Sequence, residues 1–152
     1  MYTITPEDPT SIVACQLMDE LSATLAVITG DSGRSSFDPS DVRVPRALFV
    51  VARHEDGRAV GCGALRPITS EIGEIKRMYS RPGSQGAGSA ILVYLEAEAA
   101  HLGYSILWLE TRLVNEHAVL FYERHGYVRI PNYGKYSGNS KAVCFEKRLR
   151  TS

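Results

Sequence analysis

The segment Gln85-Gly86-Ala87-Gly88-Ser89-Ala90 constrains this chain more than any other. It stands between a strand pattern, Glu74 to Ser80 (EIKRMYS), and a helical one, Gly88 to His101, where Ile91, Leu92, Leu95 and Ala99 recur at helical spacing. Residues without bulky side chains at such a junction leave backbone N–H groups pointing into open space at the positive end of a helix, an arrangement that binds phosphate oxygens. Glycines in the same place also make tight turns with no ligand at all. A strand entering a helix this way belongs to an α/β domain.

The flanking patterns fill in the order. Pro9 to about Ile28 places Ile12, Leu17, Leu21 and Leu25 at helical spacing with Thr10 or Ser11 as cap, and the Gly/Ser/Pro-rich stretch Gly30 to Pro45 follows as a mobile loop. Ala47 to His54 and Ala59 to Leu65 are β-rich runs joined through Asp56-Gly57, which predicts an antiparallel hairpin. Glu74 to Ser80 continues that meander. After the helix capped by Gly103 come a strand at Ser105 to Glu110, a helix at Glu116 to Arg124 stopped by Gly126, and two strands at Tyr127 to Ile130 and Ala142 to Leu149. The predicted order is helix, β-meander, helix, strand, helix, hairpin, with 1–152 as one domain.

Charge and cysteine content narrow the partners. Lys plus Arg equals Asp plus Glu at 17 each among 152 residues, so no overall field draws the chain to nucleic acid or an anionic membrane, and a small molecule is the expected partner. The N-terminus lacks a basic start followed by an apolar run, and no stretch is expected to reach the roughly 18 apolar residues of a membrane helix. A cytoplasmic protein without membrane contact is the expectation. Cys15, Cys62 and Cys144 are odd in number, far apart and without histidines at ligand spacing, which predicts buried small hydrophobes and no metal site.

Two familiar phosphate motifs compete for the glycine turn. Gly83 and Gly88 have the spacing of a P-loop, but Ser89 stands where its lysine belongs. A dinucleotide-binding turn would use Gly86 and Gly88 with Glu110 as the ribose acid, but Ile91 occupies the third glycine position and EIKRMYS is too polar for a buried opening strand. A third pattern fits better: Gln85-x-x-Gly88-x-Ala90 resembles the Q/R-x-x-G-x-G/A signature of the GNAT acetyltransferases. Glu74-Ile-Lys-Arg-Met-Tyr-Ser-Arg-Pro resembles that family's fourth strand, and Asn115-x-x-Ala118-x-x-x-Tyr122-x-x-x-Gly126-Tyr127 its later helix and turn. The resemblance spans roughly residues 47 to 149. Ser80 departs from the usual valine, and Gly83-Ser84-Gln85 from bulkier residues and arginine, so the turn brings no side-chain cation.

The resemblance implies a GNAT fold: a mixed, mostly antiparallel sheet flanked by helices, with two central strands splayed apart. It implies acetyl-CoA as cosubstrate, with the loop Gln85, Gly86, Ala87, Gly88, Ser89 and Ala90 on its pyrophosphate and backbone groups of Met78 and Ser80 along its pantetheine arm. The N–H of Met78 would also face the thioester carbonyl as an oxyanion donor. By the same resemblance Tyr122 protonates the departing sulfur, and Glu74 takes the proton of the amine. Asn115 is a helix cap, a pantetheine ligand or both.

The residues also admit plainer readings. Tyr122 suits the buried face of an amphipathic helix, and Glu74 can be an exposed strand residue paired with Lys76 on the same face. Adjacent in a strand, Lys76 and Arg77 point to opposite faces, so one at most greets a carboxylate on the acceptor while the other is solvated. Phe37, Asp38, Tyr133 and Tyr136 lie in loops able to close over an acceptor. The expected activity is direct acetyl transfer to a primary amine of a small molecule, without metal or covalent enzyme intermediate, in a possible homodimer. A non-catalytic acyl-CoA sensor would keep the loop but not need Tyr122 or Glu74, and a dinucleotide-binding module is the remaining alternative.

Overall fold

The computed structural model describes residues 1–149. Among them seven strands form one sheet in the order β1-β2-β3-β4-β5-β7-β6: β1 (Tyr2–Pro6), β2 (Leu48–His54), β3 (Ala59–Pro67), β4 (Ile72–Ser80), β5 (Ile106–Arg112), β6 (Val128–Ile130) and β7 (Ala142–Arg148). Neighbours run antiparallel except β4 and β5, which run parallel. This is the mixed, flanked sheet that the sequence implied. The first strand was not foreseen: Tyr2 to Pro6 is short and sits at the sheet edge, where alternation leaves only a few half-buried positions to mark it.

Three helices cover the sheet: α1 (Ile12–Thr29), α2 (Ala87–His101) and α3 (Glu116–Arg124). The period of two along β2 divides the core. Val50 and Ala52 face the cluster built with Ile91, Leu92 and Leu95 of α2, whereas Phe49 and Val51 face Ala14, Leu17 and Met18 of α1. Ser11 caps α1, its hydroxyl accepting from the Ala14 N–H at 3.1 Å, and Gly30 closes it in the left-handed conformation at φ 81°.

Three expectations change. Gly30 to Pro45 is no featureless loop, because it holds 3₁₀ turns at Arg34–Ser36 and Pro39–Val42, the second closed by a capping box between Asp38 and Asp41. By length and composition α1 is also apolar enough to cross a membrane, with a mean hydropathy of 1.4 over 18 residues, which the sequence reading missed because Asp19 and Glu20 interrupt the run. In this fold Glu20 joins the sheet, accepting from Arg81 Nη2 at 2.7 Å and from Tyr79 Oη at 3.0 Å. Of the cysteines, Cys62 and Cys144 are buried as expected, but Cys15 is exposed.

β3 needs glycine because α2 lies hard against it. A Cβ on Gly63 would stand 2.8 Å from Ile91 Cγ2 and 2.8 Å from Met78 Sδ, and one on Gly61 would stand 2.5 Å from the main-chain oxygen of Tyr79. Main chain cannot step aside as a side-chain tip can. Gly61→Ala should therefore destabilise the protein by about 1–3 kcal/mol, read as a lower midpoint in thermal unfolding. An unchanged midpoint would show that β3 and β4 can separate at no cost.

Candidate functional site

A break in the sheet creates the site. β4 and β5 pair at Ile72↔Ile106, Gly73↔Leu107 and Glu74↔Trp108, and beyond that the pairing stops. On its other side β4 carries a bulge: Lys76 lies opposite Ala64 and Tyr79 opposite Cys62, so Arg77 and Met78 together face Gly63. Arg77 takes a left-handed φ of 53°, uncommon for a residue with a side chain. Its guanidinium is fixed from above, donating through Nη2 to the Met18 carbonyl at 2.9 Å and to Ser22 Oγ at 2.6 Å on α1. The expectation that the second of the Lys76–Arg77 pair is solvated is thus corrected: Arg77 is buried, and it anchors α1 to the bulge.

Past this point a cleft of about 340 Å³ opens between the strands. Met78 and Ser80 line it from β4, Gly88 from α2, and Asn115, Ala118 and Tyr122 from α3. The glycine turn enters α2 through Gly86 at φ 84°, with no side-chain cap. The Ala87 N–H donates to the Ser84 carbonyl at 3.1 Å, but the N–H groups of Gly86, Gly88 and Ser89 have no partner among the described residues. Unmatched amides at a helix start, beside an open cleft, suit phosphate oxygens and so fit the pyrophosphate of coenzyme A. The Gln85 side chain adds no cation; its carbonyl is held by the Tyr2 hydroxyl at 2.7 Å, so the unforeseen first strand supports this loop.

Asn115 caps α3, its Oδ1 accepting from the Ala118 N–H at 3.4 Å, and also lines the cleft, so both readings of that residue hold geometrically. Tyr122 packs its ring against Phe121, Tyr127 and Phe145 while lining the cleft. Burial, with the Glu110 carboxylate nearby, pushes its hydroxyl well above the ordinary tyrosine range. At neutral pH it is therefore a proton-bearing group, able to donate.

Glu74 does not join these residues. It is buried, not exposed, and its partners are not Lys76: Oε1 accepts from Arg66 Nε at 2.8 Å and Oε2 from Tyr133 Oη at 2.5 Å. It borders a separate hollow with Asp41 and Arg66. Two carboxylates line the main cleft, the exposed Asp31 at its rim and Glu110 of β5, which the sequence offered only as a ribose ligand in a discarded motif. Burial raises its pKa, partly opposed by Arg112 and then Lys76. Arg112 Nη1 stands 3.2 Å from Glu110 Oε2, yet the contact is poorly aligned and leaves both buried atoms without a hydrogen bond.

Of the loop residues named from sequence, Tyr136 lines the cleft and receives a hydrogen bond from Lys76 Nζ at 2.7 Å. Tyr133 instead holds Glu74, Asp38 caps a 3₁₀ turn, and Phe37 packs under α1. The far end of α1, with Leu25 and Ile28, forms the remaining wall. A helical apolar pattern gives no sign that those two side chains border a cleft and not a core.

A model of the acetyltransferase (GNAT) family matches residues 15–127 of this chain. The chain is 31% identical over 150 residues, 97% of each sequence, to a protein of Azospirillum brasilense named IAA acetyltransferase. It is similar along 99% of both chains, at 31% identity and a TM-score of 0.83, to the crystal structure of a Klebsiella pneumoniae protein assigned as an acyl-CoA N-acyltransferase. A GNAT family acetyltransferase from Elizabethkingia anophelis, solved with acetyl-CoA bound, shares the fold at a TM-score of 0.71 and 16% identity over 97% of this chain and 98% of that one.

Proposed function

The chain belongs to the GNAT family of acetyl-CoA-dependent acetyltransferases, and we propose that it moves the acetyl group directly onto a primary amine of a small molecule held between β4 and β5. One observation carries the reading: the sheet opens beside a helix start with unmatched amides, and a proton-bearing tyrosine and a buried carboxyl group face the opening.

In this reading the amides of Gly86, Gly88 and Ser89, with Gln85, Ala87 and Ala90 shaping the turn, hold the pyrophosphate of coenzyme A. Met78, Ser80 and Asn115 flank its pantetheine arm. Acetyl-CoA supplies an activated thioester. The amine nitrogen bonds to the acetyl carbon, the carbon–sulfur bond breaks, Tyr122 gives its proton to the sulfur, and the surplus proton that the nitrogen then sheds replaces the one Tyr122 gave. An alkyl ammonium with a pKa near about 10.4 must first lose a proton. Glu110 is placed for that step. Desolvation raises its proton affinity, and its Oε2 has no competing hydrogen bond. Glu74, named from the family pattern, has both oxygens engaged outside the cleft, so we assign it to positioning the Arg66–Tyr133 corner. A non-catalytic sensor would have no use for Tyr122 and Glu110 facing one cleft.

The nearest atoms to a Cβ on Gly88 would be the Phe121 ring at 3.6 Å and Ser80 Oγ at 3.7 Å, ordinary contact distances, so the fold accepts a side chain there. The methyls of Gly88→Val would then fill the space in front of the amides. Calorimetric titration should show coenzyme A affinity down by about tenfold or more, at least 1.4 kcal/mol, with thermal stability nearly kept; equal affinity would remove the turn from the site.

Thiol release from acetyl-CoA across a panel of primary amines tests the activity itself. Tyr122→Phe keeps the ring and its packing and should lower kcat by about 10² or more with coenzyme A affinity retained. Full turnover would make Tyr122 a packing residue.

The base is separated by pH. Glu110 must be ionised to accept a proton, so kcat/KM should rise as pH climbs through its elevated pKa. Glu110→Gln should lose about 10²-fold near neutrality and recover in alkaline solution, where the amine deprotonates unaided. Glu74→Gln should show no such pH-dependent deficit. The reverse result would return the base to Glu74.

A further inference from the structure

Lys76 and Glu110 lie on adjacent strands at the place where the sheet opens. The β4–β5 register runs Ile72↔Ile106 to Glu74↔Trp108 and ends there; Lys76 and Glu110 each stand two residues past the last pair. Both side chains line the cleft. Opposite charges at facing positions in a low-dielectric site ordinarily pair. These do not. Lys76 is buried, gives its hydrogen bond to Tyr136 Oη at 2.7 Å, and has no carboxylate oxygen within 4.0 Å among the described residues. Glu110 Oε2 is buried without a hydrogen bond, its nearest cation being Arg112 Nη1 at 3.2 Å in a poorly aligned contact.

We infer that this gap receives an amine that also carries a carboxylate, an amino acid or a similarly short zwitterion, with its nitrogen toward Glu110 and its carboxylate toward Lys76 and the Tyr136 hydroxyl. A zwitterion turned this way puts each of its charges against the opposite charge of the protein. A simple amine meets Glu110 and leaves the lysine with the neutral Tyr136 hydroxyl and no anion. The electrostatics agree with a gap awaiting such a ligand: burial pushes the Lys76 amine down to about 8 and the Glu110 carboxyl up, each toward its neutral form. A bound zwitterion restores both charges. Arg77, the other cation considered from sequence for this task, is taken up by Met18 and Ser22. The inference rests on the acetyl-transfer reading of the cleft and adds to it the chemical class of the acceptor.

Amino acids and their primary amides form the test. Converting carboxylate to carboxamide removes only the charge, and it makes the amine easier to deprotonate, so any preference for the acid runs against intrinsic reactivity. In thiol-release assays with acetyl-CoA, the best amino acid should exceed its own amide in kcat/KM by about tenfold or more, 1.4 kcal/mol. Lys76→Met should bring that ratio toward one, chiefly through KM of the acid, while Lys76→Arg keeps most of it; coenzyme A affinity by calorimetry shows that each variant is folded. Wild-type protein that uses amides or decarboxylated amines as well as the acids overturns the inference alone and leaves acetyl transfer to amines standing. So does a ratio that survives in Lys76→Met. Binding of acetyl-CoA with no thiol release to any amine overturns the proposed function and this inference together.

Discussion

The bulge in β4 is the constraint on which the rest depends. Two residues, Arg77 and Met78, stand where a regular ladder would admit one, and Arg77 holds a backbone conformation costing on the order of 1–2 kcal/mol for a residue with a Cβ. Strain of that size persists only where its surroundings hold it. Here the guanidinium reaches back to a carbonyl and a hydroxyl of α1, so the helix that walls the cleft also locks the bulge that opens it. On the opposite face Gly63 leaves room for Met78 against α2. The split sheet is thus clamped from both layers, and the cleft is preorganised in the protein alone.

The same opening explains the unusual charges. A continuous sheet would press Lys76 and Glu110 together as an ordinary cross-strand pair. Divergence of the strands holds them apart in a desolvated space, Glu110 beside Arg112 at 3.2 Å in a poorly aligned contact and Lys76 on the Tyr136 hydroxyl. Natural cores seldom leave buried polar atoms such as Glu110 Oε2 without a hydrogen bond, and perturbed or unsatisfied side chains tend to converge on functional clefts. The contrast within one strand is instructive: Glu74, still inside the paired region, is fully engaged by Arg66 and Tyr133, and two residues later Lys76 has one neutral partner.

Much of this was legible in the sequence, for stated reasons. α2 and α3 announce themselves by apolar spacing closed with Gly103 and Gly126, and the hairpin of β2 and β3 by Asp56-Gly57; those signals are local, so the structure keeps them nearly residue for residue. Met78, Ser80, Gly88, Asn115 and Tyr122, singled out on three separate motifs, all line one cleft. Two things were not legible. Parity along a strand says which side chains share a face, but the bulge after Lys76 shifts that parity, so the burial of Arg77 under α1 could not be read from spacing. Nor could the partners of an acid: Glu74 and Glu110 look alike in sequence, and only the place where β4 and β5 part company puts one against Arg66 and the other in the cleft.

α1 shows how one element serves opposite demands. Its first three turns bury Ala14, Leu17, Met18, Leu21 and Ser22 against the sheet, and its last two turns carry Leu25 and Ile28 over the cleft with Val27 outward and 88% exposed. A helix that ended at Ser22 would satisfy the core. The additional apolar residues raise its hydropathy to the level of a membrane segment, and they are explained by the site: they extend a low-dielectric wall over the strands' opening. Water excluded by that wall strengthens the field between the cleft's charged groups. The loop that follows is tied down at the same place, with Arg34 of its first 3₁₀ turn 3.4 Å from Asp19 and Asp31 3.7 Å from Arg112 of β5. Apolar content in α1 beyond what packing requires therefore walls the cleft, and it is carried by the same helix whose main chain secures the bulge.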